Sequence, residues 1–215
     1  MKNNRGIALG YRAVAFLLCL AGILETLGVF RGAVWWTGLL YYTVQSNILV
    51  LLMLGALLVK TALAVRRDGL NGSSSFFERL SAIITLAITV TFVLYWALLA
   101  PLMMGPGLIA FGNLQVHGIT PLLMLIDYFM FTKPGKLKKY DPLLFAAVPL
   151  AYFIQATIIG FTSSKPLFFG SRFPYFFIDF DQIGAGVFIY VGVITVVFLA
   201  AAFFVVKSDE RRGGK

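Results

Sequence analysis

The residues of this chain that could do chemistry are few and sit among apolar neighbours. Thr43, Gln45, Ser46 and Asn47 stand close together at the start of an apolar run covering 38–59. At about 100° per residue, Ser46 and Asn47 share a helix face with Thr43, and Gln45 points elsewhere. Asn47 leans back toward the Thr43 hydroxyl. A polar cluster at membrane depth is costly unless it faces protein or water, so something must lie opposite it. His117, the only histidine, sits in another apolar run, 108–131, with Asn113, Gln115, Thr120 and Asp127. A threonine hydroxyl becomes a nucleophile when a base takes its proton, and a neutral imidazole is such a base. The chemistry this permits is acyl transfer. Asn47 or Ser46 could donate to the developing oxyanion. Glu25, near the far end of the first apolar run, is the candidate to orient His117 or the substrate. Asp127 is ten residues further along the same helix as His117, about 15 Å deeper, and out of reach.

The elements that must position these groups are membrane helices. Of the 215 residues, 60% are hydrophobic, and the mean hydropathy is +0.89. A soluble domain of this length is nearer half apolar. Cys19 is the only cysteine, which excludes an intrachain disulfide and dithiol redox chemistry. A single histidine excludes a bis-histidine haem or a multi-histidine metal site within one chain, and the acyl-transfer reading needs no metal and no cofactor. The net charge of +9 comes from short flanks of apolar runs, not from a polar domain, so it does not point to nucleic acid.

Six spans are expected, at about 13–30, 38–59, 80–100, 108–131, 142–161 and 183–206, forming one all-α polytopic domain. The first is read as a retained helix rather than a cleaved signal, because it carries Glu25 and lacks a small-residue cleavage site. Trp35 and Trp36 are placed as interfacial anchors, and Gly105, Pro106 and Gly107 make a tight uncharged turn. With six spans, all but Arg31, Lys165 and Arg172 of the 18 Lys and Arg residues fall on one side. Positive residues stay cytoplasmic, which puts both termini in the cytoplasm. On the opposite side, residues 162–182 form a long aromatic loop that includes Phe173, Tyr175 and Phe176. It is expected to lie along the interface or over the helix ends as a substrate lid, with Asp179 in the same segment. Asp181 is read as the N-cap of the sixth helix, and Asp127 as a partner of Lys133 or Lys136.

Spans two and four both begin on the outer side, and Thr43 and His117 both fall about 8–13 Å below that end. Their pairing needs only that the two helices be neighbours. Pro121 lacks an N–H, so the His117 carbonyl loses its usual intrahelical donor and a kink is expected. Gly118 is read as a point of close backbone approach. Each residue also has a plainer reading: Thr43 as a helix-packing hydroxyl, and Glu25 as the partner of Arg31.

Two segments carry a resemblance: Tyr-Thr-Val-Gln-Ser-Asn at 42–47, and His-Gly-Ile-Thr-Pro-Leu-Leu-Met-Leu-Ile-Asp at 117–127. With Phe-Pro-Tyr-Phe-Phe-Ile-Asp at 173–179, they make the chain resemble the bacterial branch of the androgen-induced protein family of six-helix membrane proteins. That family includes the androgen-dependent regulator of tissue factor pathway inhibitor. The likeness covers nearly the whole chain in span order and spacing. It implies an atypical threonine hydrolase acting on fatty acid esters of hydroxy fatty acids, with the two catalytic roles falling on Thr43 and His117.

The resulting expectation is an intramembrane threonine-nucleophile hydrolase of lipid esters in the cell membrane, its active site toward the outer leaflet. Its substrate would be a membrane lipid or lipid ester. The alternatives are a transporter of a small or lipidic solute and a non-catalytic lipid-binding membrane protein. No internal repeat or continuous polar path favours transport. The oligomeric state is not legible in the sequence.

Overall fold

The computed structural model describes residues 4–102 and 106–214. Lys2 and Lys215, two of the flanking charges, lie outside the described residues, as does Gly105 of the expected turn. Six helices are long and apolar enough to cross a membrane: α1 (Arg5–Thr26), α2 (Tyr42–Asp68), α3 (Glu78–Leu102), α4 (Phe111–Phe131), α5 (Asp141–Thr162) and α6 (Gly186–Arg212). The described residues contain no strand, only two isolated bridges.

The helices overrun the apolar windows at their basic ends. α1 begins at Arg5, where the Asn4 side chain accepts the Ile7 N–H at 3.0 Å, and α2 continues through Lys60, Arg66 and Arg67 to Asp68. Lysine and arginine are good helix formers, so a charge ends the hydropathy signal without ending the backbone ladder.

The extension of α1 buries Arg12 completely. Its Nε is 2.7 Å from Asp127 Oδ1 and its Nη2 is 3.2 Å from Oδ2. Its Nη1 donates to Thr61 Oγ1 at 2.6 Å and to the Ser74 carbonyl at 2.9 Å. Asp127 therefore pairs with Arg12, not with Lys133 or Lys136. The planar guanidinium meets a carboxylate bidentately and has donors left for two more acceptors, which a lysine ammonium does not match in geometry.

Contacts at one end of the bundle tie its connections together. The Arg5 N–H donates to Leu70 O at 2.8 Å, and the Lys133 N–H to Ser75 Oγ at 2.8 Å. Asp209 Oδ2, near the end of α6, accepts the N–H groups of Gly135, Lys136 and Leu137 at 2.9–3.0 Å. The beginning of α1, the end of α6 and the basic loops thus share one end.

α3 sits between two cores. One joins it to α1, α2 and α4 through residues such as Cys19, Leu54, Ile88 and Met124. The other joins it to α5, α6 and the loop before α6 through Val90, Phe145, Phe177 and Phe198. Outward faces carry exposed Leu52, Ile189 and Phe204, as lipid-facing helices do.

The aromatic loop folds over the bundle end opposite the basic loops. Phe168, Phe173, Phe177 and Asp179 are buried. Phe173 lies where a Cβ on Gly160 of α5 would sit, so glycine is what lets the loop dock there. Asp179, not Asp181, is the N-cap: its Oδ1 accepts the N–H groups of Asp181 and Gln182 at 2.9 and 3.1 Å, opening a one-turn helix, Phe180–Ile183, ahead of α6. Asp181 instead forms an ion pair with Arg172. The two tryptophans diverge. Trp36 is exposed, as an anchor would be, whereas Trp35 packs on Tyr41 and on Phe169 of the loop.

Candidate active site

Thr43 is the second residue of α2, at the helix end where the backbone N–H groups have no intrahelical acceptor. Its Oγ1 lies 3.1 Å from His117 Nε2. The other ring nitrogen, Nδ1, is 3.1 Å from the Asn113 carbonyl. A carbonyl can only accept, so Nδ1 carries the proton, Nε2 is bare, and the Thr43 hydroxyl donates to it. The imidazole also stacks on Tyr95 of α3, with ring centroids 3.7 Å apart and planes 17° apart. Tyr95 in turn accepts from Asn113 Nδ2. His117 is thus fixed in tautomer and plane by a backbone carbonyl and a phenol ring.

Glu25 does not take the orienting role. Its Oε1 is 2.5 Å from Arg31 Nη1, and Arg31 also donates to the Glu25 carbonyl. The plainer pairing of Glu25 with Arg31 is the one the structure holds.

The local fold of α4 explains the geometry. Residues Gln115–Ile119 form a π turn, in which the Thr120 N–H reaches back to Gln115 O instead of Val116 O. Pro121 offers no N–H. The carbonyls of Val116 and His117 find donors on neighbouring helices instead: Asn47 Nδ2 at 2.9 Å and Trp96 Nε1 at 3.0 Å. The expected loss of an intrahelical donor is real, but it is met by a wider turn, and such turns concentrate at functional sites. Gly118 is not a point of close approach, because a Cβ there would meet nothing. The close approach is at Gly22 of α1, where a Cβ would lie 2.1 Å from Gln115 Cγ.

Asn47 and Ser46 hold the backbone rather than an oxyanion. Asn47 is fully buried, and its Nδ2 bridges Thr43 O at 2.8 Å and Val116 O. Both amide protons are used, and they join the turn that carries Thr43 to the turn before His117. Ser46 Oγ donates to Thr43 O at 3.1 Å and accepts from Thr91 at 2.7 Å.

The groups that do face the Thr43 oxygen come from elsewhere. Tyr175, in the aromatic loop, has its hydroxyl 3.4 Å from Thr43 Oγ1 and 3.4 Å from the Thr43 N–H. Burial pushes the Tyr175 phenol above its ordinary pKa, so it remains a donor. Of the four lid candidates only Tyr175 reaches the pair. Phe173 packs against Phe161 and Gly160, Phe176 against Tyr190, and Asp179 caps the one-turn helix while accepting from Ser171. Nothing in hydropathy separates Tyr175 from its aromatic neighbours. Its hydroxyl was the only available signal, since a buried phenol seeks a partner.

An apolar cleft opens beside Thr43, walled by α3, α5 and α6 and roofed by Tyr175, Phe177 and Ile178. Among the described residues no three His, Cys, Asp or Glu side chains come together as a metal site would require. No protein-family model, curated protein or solved structure matches this chain.

Proposed function

We propose that this chain is an intramembrane hydrolase of lipid esters with Thr43 as nucleophile and His117 as general base and acid. The observation that carries the reading is the 3.1 Å contact between Thr43 Oγ1 and His117 Nε2, with Nδ1 committed to a carbonyl, beside an apolar cleft that Thr43 helps to line.

The steps follow from those positions. His117 Nε2 takes the Thr43 proton as Oγ1 bonds to the acyl carbon of the ester. The negative charge that develops on the carbonyl oxygen meets the Tyr175 O–H and the Thr43 N–H, the latter at the positive end of α2. The tetrahedral centre collapses, the ester C–O bond breaks, and the departing alkoxide takes the proton from His117. A water then gives its proton to Nε2 and attacks the acyl-threonine; the acyl C–Oγ1 bond breaks, Thr43 Oγ1 takes the proton back from His117, and the acid leaves. Asn47 fixes the distance between nucleophile and base by bridging their two turns. The Asn113 carbonyl holds the imidazole, a task that the carboxylate performs in a Ser-His-Asp triad.

On this reading the protein sits in the cell membrane with both termini in the cytoplasm, since the basic loops gather at one end, and the dyad lies toward the outer leaflet. A substrate enters sideways from the lipid beneath the aromatic loop. Fatty acid esters of hydroxy fatty acids are the substrate class the sequence resemblance implies.

A fluorophosphonate probe tests the reading. The full chain in detergent is expected to be labelled, and Thr43→Ala and His117→Ala to abolish labelling at unchanged expression. Labelling retained in either variant overturns the dyad. A transporter or non-catalytic lipid-binding protein gives no Thr43-dependent labelling.

A further inference from the structure

The cleft beside Thr43 has a floor. Tyr95 stacks on His117 and so marks the level of the dyad on α3. Val90, the deepest α3 residue lining the cleft, is five residues further in, about 7.5 Å. On α5, Tyr152 packs near Tyr175, ring centroids 6.3 Å apart, and marks the same level. Ala146, the deepest α5 residue of the lining, is six residues further in, about 9 Å. Phe198 closes the α6 side. Beneath these three, Leu86, Phe145 and Ala202 are buried in one packed core, so the cleft does not continue inward.

An acyl carbonyl at Thr43 directs its chain into this cleft. Three extended backbone bonds span about 3.3–3.6 Å, so a depth of about 9 Å takes about eight bonds. We propose that the cleft is the acyl-chain site, and that Val90, Ala146 and Phe198 form a ruler selecting acyl groups of about eight carbons over the longer chains of membrane lipids. The inference rests on the hydrolase reading above. The selection is steric. Lipid tails are as apolar as the cleft, so a longer chain gains nothing from burial that it lacked in the bilayer, and it must displace Phe198 or turn out between helices.

The test uses the full chain in detergent with p-nitrophenyl butyrate, octanoate and myristate, comparing kcat/KM ratios within each preparation. Such ratios do not depend on the fraction of folded protein. The wild type is expected to favour octanoate over myristate by about tenfold, the low end for a misfit in an apolar pocket. Ala146→Leu shortens the site and moves the preference toward butyrate. Phe198→Ala deepens it and raises myristate relative to octanoate by about tenfold. If Phe198→Ala yields no folded protein, Ala146→Leu decides alone. Ester hydrolysis with ratios unchanged across the variants overturns the ruler and leaves the hydrolase standing. No hydrolysis of any ester, together with no Thr43-dependent probe labelling, overturns both.

Discussion

Replacing Tyr175 by Phe removes one oxygen and leaves the ring in place. The ring's contacts with Tyr41 and Phe177 survive, so the loop keeps its packing. Two donors lie beside the Thr43 oxygen: the Tyr175 hydroxyl, 3.4 Å from it, and the Thr43 N–H, which in the resting structure donates to the Tyr175 oxygen. The loss of one of two oxyanion donors costs about 2.7–4 kcal/mol of transition-state stabilisation, or about 10²–10³ in kcat. In the resting structure the same hydroxyl lies 3.4 Å from both the Thr43 nitrogen and Thr43 Oγ1, so its loss costs stability about 1 kcal/mol. The effect should therefore appear in kcat, with KM and thermal stability nearly unchanged, because the donor strengthens only as charge develops. The assay is hydrolysis of p-nitrophenyl octanoate by the full chain in detergent, with KM and kcat measured separately and the melting temperature recorded in parallel. A kcat within about threefold of wild type would refute Tyr175 as an oxyanion donor and reduce it to a roof residue. A fall confined to KM would point to the same correction.

Two further outcomes follow from the packing. Asp127→Ala leaves Arg12 buried without its carboxylate, and breaking such a pair costs about 3–5 kcal/mol; a large drop in the detergent melting temperature is expected, and an unchanged one would contradict the burial of the pair. Gly22→Ala puts a methyl where Gln115 Cβ and Cγ already lie, at 2.8 and 2.1 Å. Cγ can move by rotation about χ1, but Cβ is fixed to the backbone, so α1 and the π turn must still separate. A misplacement of about 1 Å at His117 costs about 10² in rate, to be read as slower labelling by the fluorophosphonate. Wild-type labelling would show that the turn tolerates the shift.

Much of the architecture could be read from the chain because bilayer thickness sets the length of a spanning helix, and six apolar runs of that length are present. The pairing of Thr43 with His117 could also be anticipated: the single histidine and the polar cluster fell at one depth, and helix rise converts residue number into depth. Partner choice across helices could not. Depth says nothing of how each helix is rotated about its axis or which helix is its neighbour. That is why the sequence leaves Glu25 open as an orienting group although Arg31 holds it, and leaves Arg12 outside the first apolar run although α1 begins at Arg5.

The sequence by itself therefore determined the number and order of the long apolar elements, along with the hydroxyl and the imidazole that meet between two of them. Only the tertiary structure decided what surrounds those groups. The Asn113 carbonyl meets the His117 ring from one turn back on the same helix, the Asn47 bridge takes up a Val116 carbonyl that the π turn releases, and the Tyr175 hydroxyl beside Thr43 comes from a loop folded back from residues far along the chain. Periodicity encodes which face of a helix is apolar. It does not encode which distant donor will meet an acceptor that the helix has left unpaired.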